Sequence, residues 1–260
     1  YENGDKALEN IKPIVKLTSD NLSEGKLLTW KNEGSAGGEF HIPTFRRTEP
    51  IVETVSGRKA VTFNGNSFMK SNITTPSSVT RINPFTIETL VYNPEVSGNE
   101  TVFSLAPRQA FDTTYPEGEI ERALEIRYAL GHEREPGALH TGWGVRSIGW
   151  KDGKYPAAGE WHHIAFVYDG RHQGACKVYV DGKLNSMREY YTLCTNSGLP
   201  MYLGTAFNTS IGPIDGFSGS IAELKVYDYA KLDSEIMHDA RAYQTANVMQ
   251  SQKDKTRRSP

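Results

Sequence analysis

From Ile14 onward the apolar residues come in short runs broken by Gly, Asn, Asp or Pro, and inside many runs they alternate with polar residues at period two. The runs are "IVKL", "LLTW", "GEFHI", "IVETV", "KAVTF", "SFMKS", "FTIETLVY", "ETVFSL", "ALEIRYAL", "WGVRSIGW", "WHHIAFVY", "CKVYV", "KLNSM", "MYLGTA" and "GSIAELKVYD". Successive side chains of a strand point to opposite faces, so this spacing predicts an all-β, two-sheet antiparallel sandwich. In "FTIETLVY", Phe85, Ile87, Thr89 and Val91 share a face. In "IAELKVYD", Ile221, Glu223, Lys225 and Tyr227 oppose Ala222, Leu224, Val226 and Asp228. Each of these two strands is expected to have a wet side.

The stretch "GEWHHIAFVYDG" differs, because both of its faces are mostly apolar. Trp161, His163, Ala165 and Val167 lie on one side, and His162, Ile164, Phe166 and Tyr168 on the other. Such a strand is buried on both faces, and Asp169-Gly170 supplies the turn that ends it. Adjacent strand residues diverge, so the two histidines read as wall rather than as a metal site. Trp161 and His163 are expected to be buried, with His163 held by a hydrogen bond. After Asp228 the period lengthens to that of a short helix, with Asp233 as its N-cap and Ile236 and Ala240 on one face, expected to plug an end of the sandwich. Residues 1–13 read as a lead-in, 14–244 as one domain and 245–260 as a polar tail or linker.

Composition narrows the class. Across 260 residues, 37% are hydrophobic and 10% aromatic, with 24 Gly and 13 Pro, as expected of a turn-rich, strand-rich protein. No run is long enough to span a bilayer as a helix, and the chain starts at Tyr1, as a processed protein or an excised piece would. A formal net charge of -2 argues against a general nucleic-acid binder. Cys176 and Cys194 are the only cysteines. A two-residue Asp181-Gly182 turn would set Cys176 opposite Met187 and leave Cys194 beyond that register, which favours two buried thiols over a bridge. Asn21, Asn72, Asn99 and Asn208 begin Asn-X-Ser/Thr sequons, which are short enough to arise by chance.

The order of "LTWKNEG", "GGEF", "KAVTFNGNSFMKS", "NPFTIETLVY", "GEWHHIAFVYDG", "KVYVDGKL", "YLGTA" and "FSGSIAELKVYDYAKLDSEI" resembles the laminin-G-like jelly-roll domains of the concanavalin A-like lectin and glucanase superfamily. The resemblance implies two antiparallel sheets with ligand bound on a face or at rim loops, and an extracellular or cell-envelope, carbohydrate-binding or adhesion role beside further domains. Some members hold calcium at the rim, and no other cofactor is implied. Relatives of the same architecture are glycoside hydrolases or polysaccharide lyases, so fold alone does not select an activity.

The long segment from Pro107 to Ala158 exceeds what two strands and their loops need. It holds Trp143, Trp150, Tyr155, Arg127 and His132, the ring-plus-planar-polar composition that stacks on sugar faces and bridges hydroxyls, and these five are the candidate carbohydrate-binding residues. The competing reading is a structural cover over the sheet. "EIERALE", with Glu119, Glu121 and Glu125, is similar to the paired-carboxylate motif of glucanases on this jelly roll, with Glu in place of the middle Asp. Arg127, Tyr128 and His132 are lyase candidates by residue type. For calcium, the oxygen-rich loops are Asn64–Ser67 and Gly212–Gly219, the second with Asp215. The preferred function is a non-catalytic carbohydrate-binding module; the alternatives are a polysaccharide-degrading enzyme and a protein-adhesion module.

Overall fold

The computed structural model of the chain describes residues 11–44, 48–96, 99–108, 123–129, 139–140, 147–170, 174–191 and 193–244. One sheet has nine strands. Its path runs β14 (Lys183–Tyr191), β13 (Gly174–Val180), β12 (Trp161–Tyr168), β8 (Phe85–Tyr92), β18 (Ser218–Tyr227), β6 (Arg58–Asn64), β5 (Ile51–Val55) and β2 (Gly25–Lys26), with β1 (Val15–Thr18) also paired to β18. The second sheet runs β11 (Leu139–His140), β10 (Leu124–Tyr128), β9 (Glu100–Ala106), β15 (Pro200–Leu203), β7 (Met69–Thr74), β4 (Glu39–His41) and β3 (Thr29–Lys31). A separate hairpin joins β16 (Ala206–Asn208) to β17 (Gly212–Ile214). The sheets form the expected antiparallel jelly-roll sandwich.

The core lies between the sheets. Phe63, Phe85, Ile87, Phe166, Leu224 and Val226 enter it from one side, and Trp30, Phe40, Met69, Phe103, Leu124 and Leu203 from the other. Full burial contributes about 1.5–3 kcal/mol for each such apolar side chain, before the entropy of ordering it. Of the run "WGVRSIGW", the described part, Ser147–Trp150, is not a strand of either sheet; Ile148 and Trp150 still pack into the core.

Bulges change two registers that strict alternation would predict. The two-residue turn is present, with Val180 opposite Lys183 and both Asp181 and Gly182 at positive φ (52° and 76°). A shift after Val178 then sets Lys177, not Cys176, opposite Met187. Cys176 and Cys194 are both buried, and no disulfide joins them. In β18 a shift between Ile221 and Glu223 brings Ile221 into the inter-sheet core with Leu224 and Val226, while Ala222 packs in a separate cluster with Ala60 and Leu90. The expected grouping of Ile221 with Glu223 and Lys225 therefore does not hold.

Helix α1 (residues 233–244) does not plug an end of the sandwich. It lies on the outward side of the nine-stranded sheet, where Ile236 packs with Ala165, Val167 and Tyr179. This is why β12 is buried on both faces, and why β8 lacks the wet side that its alternation suggests. The N-cap is Leu232, not Asp233. The Leu232 N–H donates to the Glu235 carboxylate (2.7 Å), while the Glu235 and Ile236 N–H groups donate to the Leu232 carbonyl (3.0 and 3.2 Å). Asp233 instead accepts from Lys177 Nζ and Tyr179 Oη, each at 2.7 Å, which ties the first helical turn to β13.

Beneath the helix, Lys231 Nζ donates to Glu88 (2.9 Å) and to Asp239 (2.6 Å). Burial pushes the Glu88 carboxyl up to about 7 against the pull of Lys231. Burial also opposes the Lys231 charge, but Glu88, Tyr227 and Asp239 outweigh it and hold the ammonium above its ordinary value. His163 is buried as expected, but its ring nitrogens make no hydrogen bond. The ring stacks on Tyr243 (centroids 5.1 Å apart) with Glu88 at 3.8 Å, and burial lowers its pKa to about 4, so it is neutral at pH 7. His162 has its own partners, Asp181 Oδ2 at 2.8 Å and the Ala157 carbonyl at 3.1 Å.

Two predictions follow from these contacts. Lys231→Met strands two carboxylates, one of them fully buried, and is expected to cost about 3–5 kcal/mol in denaturant unfolding. For His162, burial works against the charge but Asp181 outweighs it, so the imidazole is raised; for Asp181, burial works upward but His162 and the His163 N–H outweigh it, so the carboxyl is lowered. The histidine contribution is present below its unfolded pKa and lost as pH rises through the raised value. The aspartate contribution is present above its own unfolded pKa and lost on acidification. Asp181→Asn should therefore destabilise more at about pH 5.5 than at about pH 8.5, between and above the ordinary Asp and His ranges; equal losses at both would contradict the ion pair.

Candidate functional site

Leu124, Ile126 and Tyr128 of β10 enter the core, so Glu125 and Arg127, which alternate with them, face away from the other sheet. Glu125 lies opposite Ser104 of β9, and Ser104 opposite Tyr202 of β15, so these positions form one row on the outward side of the seven-stranded sheet. The β16–β17 hairpin covers part of this row. Phe207 stacks on Tyr202 with centroids 4.4 Å apart and planes 4° from parallel, and Phe68 packs on both rings. The Arg108 N–H donates to the Phe207 carbonyl and the Thr209 N–H to the Arg108 carbonyl, both at 2.8 Å, which stitches the hairpin to the end of β9.

A cleft of about 200 Å³ opens where the hairpin meets the β6–β7 loop, lined by Gly65–Phe68, Gly204, Thr205 and Pro213–Gly216. The loops approach so closely that a Cβ on Gly216 would lie 1.9 Å from the Gly65 carbonyl oxygen, which only glycine permits. Asp215 is fixed from three directions. Its φ is 51°, its carbonyl accepts from the Thr101 N–H (2.8 Å), and its Oδ2 lies 3.3 Å from Arg108 Nη2 and 3.7 Å from Arg127 Nη2.

Behind Asp215 the charges alternate. Arg108 grips Glu125 with two bonds, Nε to Oε1 at 2.8 Å and Nη2 to Oε2 at 2.7 Å, and Arg127 Nη1 is 3.7 Å from the same carboxylate. Burial pushes the Glu125 carboxyl up, while the hydrogen bond and charge of Arg108 and then the charge of Arg127 pull it down. The bidentate geometry is that of an ionised pair. Arg127 is 1% exposed, and none of its three guanidinium nitrogens has a hydrogen-bond partner.

The sequence-predicted residues divide. Arg127, Glu125 and Asp215, picked for three different chemistries, come together here. Trp150 is 5% exposed and Arg127 1%, so neither presents a surface to solvent. Trp150 packs on Tyr128 (5.8 Å between centroids), and Tyr155, half-buried, packs on the same ring at 6.5 Å and donates its hydroxyl to the Ala129 carbonyl. They form an aromatic plug in the core with Phe217, which stacks on Tyr128 at 6.4 Å. Tyr128 is itself buried, which pushes its phenol up. Trp143, His132, Glu119 and Glu121 lie outside the described residues. Sequence reasoning missed Arg108, whose only signal is a charge two residues beyond an all-buried strand, and the Phe68–Tyr202–Phe207 cluster.

The two loops proposed for calcium do converge in the cleft. The described donor set fits the ion poorly: among the described residues Asp215 is the one carboxylate lining the cleft, and two guanidiniums stand within 4 Å of it. No group of three or more His, Cys, Asp or Glu residues able to hold a metal occurs among the described residues. Of the three glutamates that carried the enzyme reading, Glu125 has 0% exposure and is bound on both oxygens, while Glu119 and Glu121 lie outside the described residues.

Two sheets of this order, with a cleft at the rim between β6–β7 and the last hairpin, define a jelly-roll sandwich of the laminin G type. The chain belongs to the concanavalin A-like lectin/glucanases superfamily, whose laminin G family model matches residues 64–237. No curated protein matches the sequence. Among solved structures it is similar to domain 4 of AbnA, a GH43 extracellular arabinanase from Geobacillus stearothermophilus, solved with arabinotriose. That likeness has 19% identity and a TM-score of 0.61, and covers 88% of this chain and 98% of that one. It also resembles the binding domain of botulinum neurotoxin serotype G (12% identity, TM-score 0.53) and that of botulinum neurotoxin DC in complex with SialylT (10%, 0.54). In both toxin matches the alignment covers 89% of this chain and about half of the toxin domain, 51%. At these identities the likeness is one of fold.

Glu125→Gln is expected to lower stability by about 3–5 kcal/mol, because it leaves the buried Arg127 without its closest countercharge on β10. Thermal and denaturant unfolding measure this; an unchanged midpoint would show that the cluster contributes nothing to folding.

Proposed function

We propose that the chain is a non-catalytic carbohydrate-binding module of a secreted or cell-surface protein, and that it binds oligosaccharide at the cleft walled by Asp215. The observation that carries the reading is the cleft: a concave site at the sandwich rim, with a rigidly held carboxylate on its wall and a stacked aromatic cluster beneath. The arabinotriose complex of the AbnA domain, aligned over nearly its whole length, supports an oligosaccharide ligand and an extracellular setting. The SialylT of the toxin complex carries less weight, because this chain spans half of that domain. No helix among the described residues is long and apolar enough to cross a membrane.

In this reading Arg127 braces Asp215 rather than touching sugar, Trp150 and Tyr155 pack against Tyr128, and Trp143 and His132 are the residues proposed for stacking and polar contacts. Catalysis has no comparable support, since Glu125 is closed off from substrate. A protein-adhesion role would leave the cleft without a sugar.

A broad glycan array, followed by reducing-end and unsaturated-product assays on each hit, tests the proposal. Binding is expected at about 0.1–1 mM, or roughly 4–5.5 kcal/mol, without turnover, and Trp143→Ala is expected to weaken it at least about tenfold. Product release from any hit would establish an enzyme, and silence up to millimolar concentrations would favour protein adhesion.

A further inference from the structure

The polar groups of the cleft differ in how far they are already committed. The N–H of Gly65 donates to the Phe217 carbonyl (2.8 Å) and that of Gly204 to the Val102 carbonyl (2.9 Å). The N–H groups of Asn66 and Ser67 both donate to Asn64 Oδ1, at 3.0 and 2.9 Å. The Thr205 hydroxyl is directed to the Ile214 and Ala206 carbonyls, at 2.7 and 2.8 Å. Four backbone amides and a hydroxyl that line or border the cavity are thus spent inside the fold. An anion offers only acceptors and would find these five donors occupied.

The charged wall has the same polarity. Among the described residues Asp215 is the charged one that lines the cleft, whereas Arg108 and Arg127 are not among its lining residues and stand behind, on the Oδ2 side. A ligand entering the cavity meets carboxylate before guanidinium. Arg127 is almost wholly buried with no hydrogen bond on any nitrogen, so its part is to bias the Asp215 carboxylate by charge at 3.7 Å.

We infer that this cleft selects uncharged saccharides. Neighbouring hydroxyls of a neutral sugar donate to the Asp215 carboxylate, which Arg108 and Arg127 hold in place, and glycans carrying uronate, sialate or sulfate are rejected. The inference rests on the carbohydrate reading above and specifies its ligand class. Hydroxyls donate where the cleft accepts, and their bonds to a carboxylate are of the stronger, charge-assisted kind. An acidic sugar would set its own carboxylate against Asp215 and find the five donors above occupied, a mismatch that rejects by repulsion as much as by lost contacts. Arg127 and Arg108 are positioning residues.

The test uses the whole chain and pairs of glycans that differ only in charge, such as oligogalacturonides as the free acid and as the full methyl ester, or sialylated glycans and their desialylated parents. These are read beside the neutral arabino-, xylo- and gluco-oligosaccharides of the array. Neutral members are expected to bind at least about tenfold more tightly than their acidic partners, and Asp215→Asn to weaken the neutral hits about tenfold and narrow the gap between each pair. Circular dichroism and melting temperature establish that the variant is folded; the wild-type comparison of charged and uncharged partners does not depend on it. An acidic glycan that binds as well as its neutral parent overturns the selectivity and leaves the carbohydrate reading standing. Loss of neutral binding on adding a chelator, restored by calcium, overturns it in favour of a metal-bridged ligand. Absence of any hit overturns both readings.

Discussion

Strand β18, the last described strand, is hydrogen-bonded to β8 on one side and to β6 and β1 on the other. Without it the nine-stranded sheet would fall into three pieces: β14-β13-β12-β8, β6-β5-β2 and β1 alone. The pairing joins residues more than 200 positions apart, as in Val15 opposite Val226, and such closure is entropically costly. What offsets that cost is burial: Ile221, Leu224 and Val226 all enter the inter-sheet core. The bulge at Ala222 is part of the same solution. It lets Ile221 turn inward while Ser220 and Ile221 keep their partners Thr62 and Val61 on β6.

Both ends of β18 carry the chemistry of the molecule. The residues just before it, Asp215 and Gly216, form the wall of the cleft, and Gly216 can reach the Gly65 loop only because the next residues are already paired to β6 and β8. Just after it, Tyr229 and Lys231 meet β8: the Thr86 hydroxyl donates to the Tyr229 carbonyl (2.8 Å) and accepts from the Lys231 N–H (2.9 Å). That contact sets the start of α1 over the outward face of the sheet. Cleft and helix are therefore coupled to the same strand, and a change that loosened β18 would reach both.

The fold buries two ionic clusters, Glu88–Lys231–Asp239 under the helix and Arg108–Glu125–Arg127–Asp215 behind the cleft. In each, charges that would be costly alone are neutralised in close geometry, and the gain over an apolar replacement is small. Their value lies in what they forbid. Glu88 in the middle of a sheet demands a cation, and Lys231 answers it only if the helix docks in one place. Glu125 held by Arg108 leaves Arg127 to lean on Asp215, which orients that side chain at the surface.

Local pattern along the chain determined the class and most of the strands. "FTIETLVY", "WHHIAFVY" and "IVETV" match β8, β12 and β5 end to end, since a period of two bounded by turn residues is a property of neighbouring positions. The double-sided burial of β12 could be read for the same reason. Other features depend on partners far away. No local rule announces the bulges at Val178/Tyr179 and Ile221/Glu223, because a bulge answers the register of the opposing strand. Glu88 looked like a wet position until α1 covered it, and Leu232 became the helix cap because Asp233 was drawn to Lys177 and Tyr179 on β13. At the site, sequence composition named Arg127, Glu125 and Asp215 separately, for sugar, catalysis and metal, because residue type speaks of chemistry without distance. Only the tertiary structure, by pairing β10 with β9 and laying the last hairpin against them, made these three and Arg108 a single charge network, since salt bridges form between side chains and not between positions in a chain.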